Sequence, residues 1–401
     1  MSEQRFDPLD WKSAATHVLF NPRMPAADAQ EIEQRLKSLK PLESHLWIAT
    51  SGSTAQVAGQ LKWVALSKAA ILASAQAVNQ HLTSTSRDVW VTVLPTFHVG
   101  GIGIYARAYL SEAKVVSGLL TDTSGNTKWD ARHFHRACVE NDATLSALVP
   151  TQVYDLVQAK LEAPKTMRAV VIGGAALSES LYLEALQLGW PLLPSYGMTE
   201  CCSQIATASL ASLKACPARF PEFELLSHVK AGQSAKGKIR IKSPSLLTGL
   251  AILSQDGDRW MDPKVDGWFQ SEDMGEIITA AQGRFLTVRG RSSDFVKIGG
   301  ESVDLNRLSA VLTQVRTQAA SSIDLIILPM EDERLGSVIH GVTAASEESP
   351  AGSEARRIFD QFNSRVLPYE RIRKIHFVPS IPRSPLQKLL KSELLSLLSR
   401  K

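Results

Sequence analysis

The chain is 401 residues long with 44% apolar and 21% charged side chains, a balance that excludes a disordered or fibrous protein and favours two folded domains of unequal size. Its net charge of +4 falls short of a nucleic-acid-binding signature, and no run approaches the roughly 18–20 apolar residues of a membrane span. Cys138, Cys201, Cys202 and Cys216 lack metal-ligand spacing, and Met1–Trp11 lacks the apolar core of a secretory signal, so reduced thiols and a cytoplasmic location are expected.

Taken in order, the apolar spacing predicts a helix over Ala26–Leu39 and a short buried strand over Leu46–Ala49 that runs into Thr50-Ser51-Gly52-Ser53-Thr54. A helix is predicted over Leu66–Leu82 with Ser67 as its cap, then a strand over Val89–Leu94 stopped by Pro95. Gly100-Gly101-Ile102-Gly103 opens a small-residue helix. The strand Thr144–Val149 precedes a helix over Gln152–Ala159, and the strand Arg168–Ile172 ends in Gly173-Gly174. Ser178 caps a helix reaching Leu188, and Leu192–Pro194 reads as the next strand. Repeated strand, turn and helix imply a mostly parallel sheet covered on both faces, with ligands at the carboxyl ends of its strands. Three of those ends, Thr50–Thr54, Gly173–Ala175 and Tyr196–Glu200, are expected to meet at one site.

Beyond about residue 215 the period changes to two. Gly237–Lys242 and Phe285–Val288 read as half-exposed antiparallel strands. From Asp294 the pattern is mixed: a helix over Leu305–Val315, a strand over Ile323–Leu328, a polar loop over Ser346–Gly352, a helix over Glu354–Arg365 and a strand over Ile375–Val378. The fold class is therefore α/β. A large domain over 1–290 carries the parallel sheet plus a small antiparallel β section, and a smaller α+β domain occupies 291–401.

The most informative stretch is Leu192-Leu193-Pro194-Ser195-Tyr196-Gly197-Met198-Thr199-Glu200. Gly197 reads as a tight turn that brings a hydroxyl and a carboxylate to a pocket mouth. A tyrosine ring offers a stacking face to a planar base, a threonine hydroxyl can donate to phosphate, and a glutamate suits magnesium.

With these residues in place, the ordered motifs from about residue 46 to 393 resemble the adenylate-forming superfamily of acyl- and aryl-CoA synthetases, luciferases and peptide-synthetase adenylation domains. Leu94-Pro95-Thr96-Phe97-His98-Val99-Gly100-Gly101 and the compact length make it most similar to the o-succinylbenzoate–CoA ligase group of menaquinone biosynthesis. The resemblance implies an enzyme that uses ATP and Mg2+ to activate a small-molecule carboxylic acid as an acyl-adenylate, then passes it to coenzyme A. Loading of a carrier protein is a second reading, and a non-catalytic nucleotide-binding homologue a third. Neither nucleic acid nor membrane enters any of them, and the oligomeric state is not set.

By the same resemblance, Thr50, Ser51, Gly52, Ser53 and Thr54 begin the phosphate loop. Four extra residues, Ala55–Ala58, then precede Gly59-Gln60-Leu61-Lys62, where the family has Gly-x-Pro-Lys. Tyr196 and Gly197 face adenine, Thr199 the α-phosphate, and Glu200 the metal. Gly173, Gly174 and Ala175 back the adenine and acyl group. Asp273, in Gly267-Trp268-Phe269-Gln270-Ser271-Glu272-Asp273, and Arg291 hold the ribose, and Glu272 stands where glycine is usual. His98 gates the acyl pocket. Lys388, in Ile381-Pro382-Arg383-Ser384-Pro385-Leu386-Gln387-Lys388, is the catalytic lysine of a mobile small domain, with Gln387 in place of glycine. That domain turns about a hinge where Ser293 replaces Asp or Lys, and Gly299 and Gly300 line the thiol channel.

Overall fold

The computed structural model describes residues 10–50, 61–122, 126–214, 219–291, 295–382 and 391–398. They fall into two compact units that part between residues 291 and 295.

The first unit begins with β1 (His17–Leu19), α1 (Ala26–Leu39), β2 (His45–Thr50), β3 (Leu61–Ser67) and α2 (Lys68–Leu82). Then come β4 (Val89–Thr92), α3 (Val99–Ser111), β5 (Lys114–Ser117) and a short ribbon of β6 (Leu120–Thr121) and β7 (Thr127–Lys128). The alternation continues through α4 (Ala131–Glu140), β8 (Leu145–Leu148), α5 (Pro150–Gln158), β9 (Ala169–Ile172), α6 (Glu179–Gln187) and β10 (Leu192–Met198). Eight further strands complete the unit: β11 (Ser203–Thr207), β12 (Phe223–Leu225), β13 (Lys230–Gln233), β14 (Lys238–Lys242), β15 (Gly249–Leu253), β16 (Arg259–Met261), β17 (Phe269–Ala280) and β18 (Gly283–Arg291).

Its main sheet runs β13-β14-β17-β18-β12-β11-β10-β9-β8-β4-β5. From β10 to β5 every neighbour is parallel, whereas from β10 to β13 every neighbour is antiparallel. The parallel part is apolar on both faces, as the strand, turn and helix alternation requires. In β9, Ala169 and Val171 enter the core shared with α2 and α3, while Val170 and Ile172 enter the core formed with α4, α5 and α6. Ser67 caps α2, its hydroxyl accepting from the Ala70 amide, and Ser178 caps α6 through the Leu181 amide.

Two sequence expectations need correcting here. Leu66 ends a strand instead of opening a helix, because Trp63-Val64-Ala65-Leu66 is buried as β3 and pairs antiparallel with β2. A continuous apolar run carries no period, so strand and helix look alike in it. In consequence β2 is not part of the parallel sheet: it lies in a separate sheet of order β1-β2-β3-β15-β16. The strand end at Thr50 therefore approaches the site from a second sheet.

The second unit holds the hairpin β19 (Phe295–Ile298) and β20 (Glu301–Asp304), followed by α7 (Leu305–Gln318), β21 (Leu325–Asp332), β22 (Gly336–Thr343), α8 (Pro350–Asn363), β23 (Ile372–Phe377) and α9 (Lys391–Leu398). The sheet β21-β22-β23 packs α7 and α8 against one face, through Leu308, Val311, Phe359 and Phe362, and Leu394 of α9 against a separate cluster with Leu328 and Val342. The loop expected over Ser346–Gly352 is shorter than its polarity suggests, since Ser349 caps α8 and Pro350 takes its first position.

Candidate active site

The site is assembled around β10, which changes partners along its length. Leu192–Pro194 pair with Val170–Ile172 of β9, and from Ser195 onward the strand pairs with β11. The Ser195 hydroxyl donates to the Ile172 carbonyl at 2.9 Å, which sets the Gly173–Ala175 turn beside Tyr196. Gly197 is not the turn expected from the sequence but a strand residue beside a bulge. A Cβ there would lie 1.9 Å from the Ser203 carbonyl oxygen, so only glycine allows the two strands this approach. The turn itself is the short 3-10 segment Thr199–Cys201, closed by Cys202 at φ 59°.

That turn places Glu200 against β3. Lys62 Nζ donates to Glu200 Oε1 at 2.8 Å, and both side chains are largely buried, at 3% and 12% exposure. Lys62 in turn faces Thr50 across the β2–β3 register. The Glu200 carbonyl accepts from the Leu247 amide at 2.8 Å, which ties the turn to the segment leading into β15. Lys62 thus reaches Glu200 despite the four extra loop residues.

On the other side of β10, the Tyr196 hydroxyl donates to Asp273 Oδ2 at 2.7 Å. Burial, and then the Asp273 carboxylate, push the tyrosine well above its usual range, so the phenol stays protonated as the donor. Asp273 is positioned by Ser271, whose hydroxyl accepts from the Asp273 amide at 3.1 Å. In the β17–β18 register Asp273 lies opposite Arg291, so Arg291 belongs by its pairing to the first unit.

His98 precedes α3 as its cap residue, with no side-chain cap bond, and its ring lies 4.6 Å from that of Phe97. Gly299 and Gly300 form the turn between β19 and β20 in the second unit, and the Gly299 amide donates to the Leu335 carbonyl at 2.9 Å. Ser51, Gly52, Ser53, Thr54, Ser293 and Lys388 lie outside the described residues, and so does Cys216. Cys138, Cys201 and Cys202 are buried thiols pushed upward by desolvation, as packing residues should be.

One buried cation escaped the sequence reading. Arg107 of α3 is 2% exposed, lies over the Trp90 ring at 5.6 Å, and donates through Nη2 to Gln204 Oε1 at 2.9 Å. Its Nε and Nη1 are buried without a hydrogen-bond partner among the described residues. Burial lowers its pKa to about 10, which leaves it charged at neutral pH. The available signal was a single arginine in the otherwise small and apolar run Gly100–Leu110, followed after the motif by Gln204. Among the described residues no group of three or more His, Cys, Asp or Glu could hold a metal by itself. A single carboxylate, Glu200, fits a cation that takes its remaining ligands from phosphates and water, as Mg2+ does.

A family profile described as AMP-binding enzyme matches residues 9–250. The 2-succinylbenzoate–CoA ligase of Enterococcus faecalis is 25% identical over 352 residues, covering 85% of this chain and 67% of its own. The o-succinylbenzoate CoA synthetase of Bacillus subtilis, as a double mutant bound with the product analogue OSB-NCoA, is similar in structure at TM-score 0.66 and 23% identity, over 88% of this chain and 69% of that one. The amide bond synthetase McbA of Marinactinospora thermotolerans is similar at TM-score 0.69 and 20% identity over the same shares.

Proposed function

Because the chain belongs to the AMP-binding enzyme family, we propose that it is an AMP-forming acid–thiol ligase acting on an aromatic acid with a second carboxylate, of which 2-succinylbenzoate is the type. The substrate carboxylate attacks the α-phosphorus of ATP, giving an acyl-adenylate and pyrophosphate. The thiol of coenzyme A then displaces AMP. Such chemistry requires positioning and charge neutralisation, not a protein nucleophile.

The residues divide that work. Tyr196, backed by Gly173, Gly174 and Ala175, offers its ring to adenine, while its hydroxyl steadies Asp273 for the ribose hydroxyls, with Arg291 opposite. Thr199 donates to the α-phosphate, and the loop from Thr50 to Thr54 wraps the remaining phosphates. Lys62 holds the Glu200 carboxylate in place. Mg2+, when bound with the ATP phosphates at Glu200, offsets charge on the departing pyrophosphate. His98 borders the acyl pocket. Lys388 adds positive charge during adenylation, and the small domain that follows Ser293 then turns about it to present Gly299 and Gly300 to the thiol. Among the described residues no helix is long and apolar enough to cross a membrane.

The observation that carries the acid's identity is Arg107. A buried guanidinium with two unpartnered donor atoms and no carboxylate partner among the described residues is suited to receive a ligand carboxylate. In a dicarboxylic acid one carboxylate becomes the adenylate and the other remains to meet the arginine. The test is pyrophosphate release over a panel of aromatic and aliphatic acids, with benzoate and 2-succinylbenzoate compared directly. Preference for benzoate or for a fatty acid would overturn the assignment. The likeness to an amide bond synthetase favours one second reading, an amine or carrier-bound acceptor, and consumption of free coenzyme A decides between them.

A further inference from the structure

We propose that the first unit carries a second anion site, apart from the nucleotide pocket, in which Lys230 and Lys242 bind a phosphate-bearing small molecule. The two lysines are direct partners in the β13–β14 register, so their side chains share one face. Both line an open cleft of about 470 Å³ together with His228, Ser243, Leu247 and Lys264, and no aspartate or glutamate is among its lining residues. This volume suits a nucleotide-sized or smaller ligand.

Like charges placed directly opposite across a sheet are destabilising, whereas two basic neighbours on β14 are compensated. Lys238 pairs with Glu272 at 2.6 Å, and Arg240 lies 5.2 Å over the Trp268 ring. Lys264 has its own ion pair with Asp262 at 2.7 Å and donates to the Leu247 carbonyl at 2.7 Å. Lys230 and Lys242 have no ion pair among the described residues. Lys242 is instead guided into place: its ammonium reaches the Asp266 carbonyl at 3.2 Å, and its stem passes Gly267, where a Cβ would lie 3.2 Å from Cε.

Two lining residues, Ser243 and His228, are joined through Ser245. Ser243 Oγ lies 2.9 Å from Ser245 Oγ, which lies 3.1 Å from His228 Nε2. Burial pushes His228 down to about 4, so the imidazole is neutral and the two lysines supply the charge. A lysine pair beside a hydroxyl suits a phosphate, which lysine binds as a point charge. The cleft also shares a wall with the site above, since Leu247 lines it and donates its amide to Glu200. Two phosphate sources fit this chemistry, pyrophosphate and the nucleotide phosphates of a thiol cofactor.

The experiment is calorimetric titration of the full chain at low salt with inorganic phosphate, pyrophosphate and adenosine 3′,5′-bisphosphate, each with and without saturating AMP. At least one probe is expected to bind saturably at one site with AMP present. Lys230→Gln/Lys242→Gln is expected to weaken that binding by about tenfold or more, the scale for losing charged contacts to an anion, and to leave AMP affinity unchanged. Lys230→Glu, which places a carboxylate opposite Lys242, should abolish the binding while keeping the sheet folded. The stronger of pyrophosphate and the bisphosphate identifies the source. Absence of saturable binding up to about 10 mM, or affinity unchanged in both variants, overturns the proposal. Failure of AMP itself to bind counts against the ligase reading instead, and the AMP-free titrations then decide the cleft.

Discussion

Two buried cations in the first unit meet opposite surroundings. At the start of α2, Lys68 is 2% exposed, yet its ammonium donates to the carbonyls of Asp10 at 2.7 Å and Ser13 at 2.9 Å, so its donors are met by the chain itself. In α3, Arg107 is equally buried but spends one donor on Gln204 and leaves Nε and Nη1 without partners among the described residues. Burying a charge is costly unless its hydrogen bonds are completed. Where the chain completes them, the cation fastens the structure. Where it does not, the cost stands in the protein alone, and under the proposed function the second carboxylate of the acid would remove it. Lys62 falls between the two, since its partner Glu200 is complete as an ion pair but also shared with the proposed metal.

The largest test of this contrast acts on Lys62 through its partner. Glu200→Gln is expected to lower pyrophosphate release by about two to three powers of ten, the scale of one lost electrostatic contact in a transition state. It should also reduce stability by about 1–3 kcal/mol, because a buried ammonium then faces a neutral acceptor. Stopped assays at saturating Mg2+ and urea unfolding read the two effects, and unchanged turnover would remove Glu200 from the metal role.

The contrast itself is tested by a matched pair. Arg107→Met should raise the KM for the acid by about 10- to 100-fold, a charged hydrogen bond's worth, with stability unchanged or higher. Lys68→Met should do the reverse, leaving KM alone and reducing stability by about 1–3 kcal/mol as the Asp10 and Ser13 carbonyls lose their donor. If the two variants exchange phenotypes, the distinction between completed and uncompleted cations fails.

A third effect, confined to acidic pH, concerns the neutral counterpart, His228. Its folded pKa of about 4 lies below the ordinary 6.5, so the unfolded chain takes the proton first. Its stabilising contribution is full above pH 6.5 and is lost as pH falls toward 4, by about 1.4 kcal/mol per pH unit. Unfolding free energies measured across that window should lose this slope in His228→Gln. Smallest is Tyr196→Phe, which removes one hydrogen bond to Asp273. It should raise the KM for ATP about fivefold, the equivalent of about 1 kcal/mol, without affecting the acid.

The sequence made the parallel half legible because each element there has its own cue: Ser67 and Ser178 at helix starts, Pro150 after β8, and Gly173-Gly174 after β9. The site residues on β10 were legible for the same reason, as an apolar strand ending in polar groups. Lys62 facing Glu200 was not, because a contact across 138 residues depends on two sheets meeting. Strands as short as β12 and β13, with three and four residues, give too few positions to show a period. The role of Gly197 was hidden because its constraint comes from a neighbouring backbone.

Because β10 leaves β9 after Pro194 and joins β11 from Ser195, it is the seam between a parallel and an antiparallel sheet. Slow amide exchange is therefore conditional along this one strand. Its first residues gain protection only when β9 docks, and its last only when the hairpin to β11 closes. A fragment containing the parallel half alone would carry Tyr196 but not the Asp273 carboxylate that receives its hydroxyl, and a fragment of the antiparallel half would lack the β9 turn beside it. Nucleotide affinity is in this sense a property of cooperative assembly, and it should vanish in either fragment and return only when the two are mixed.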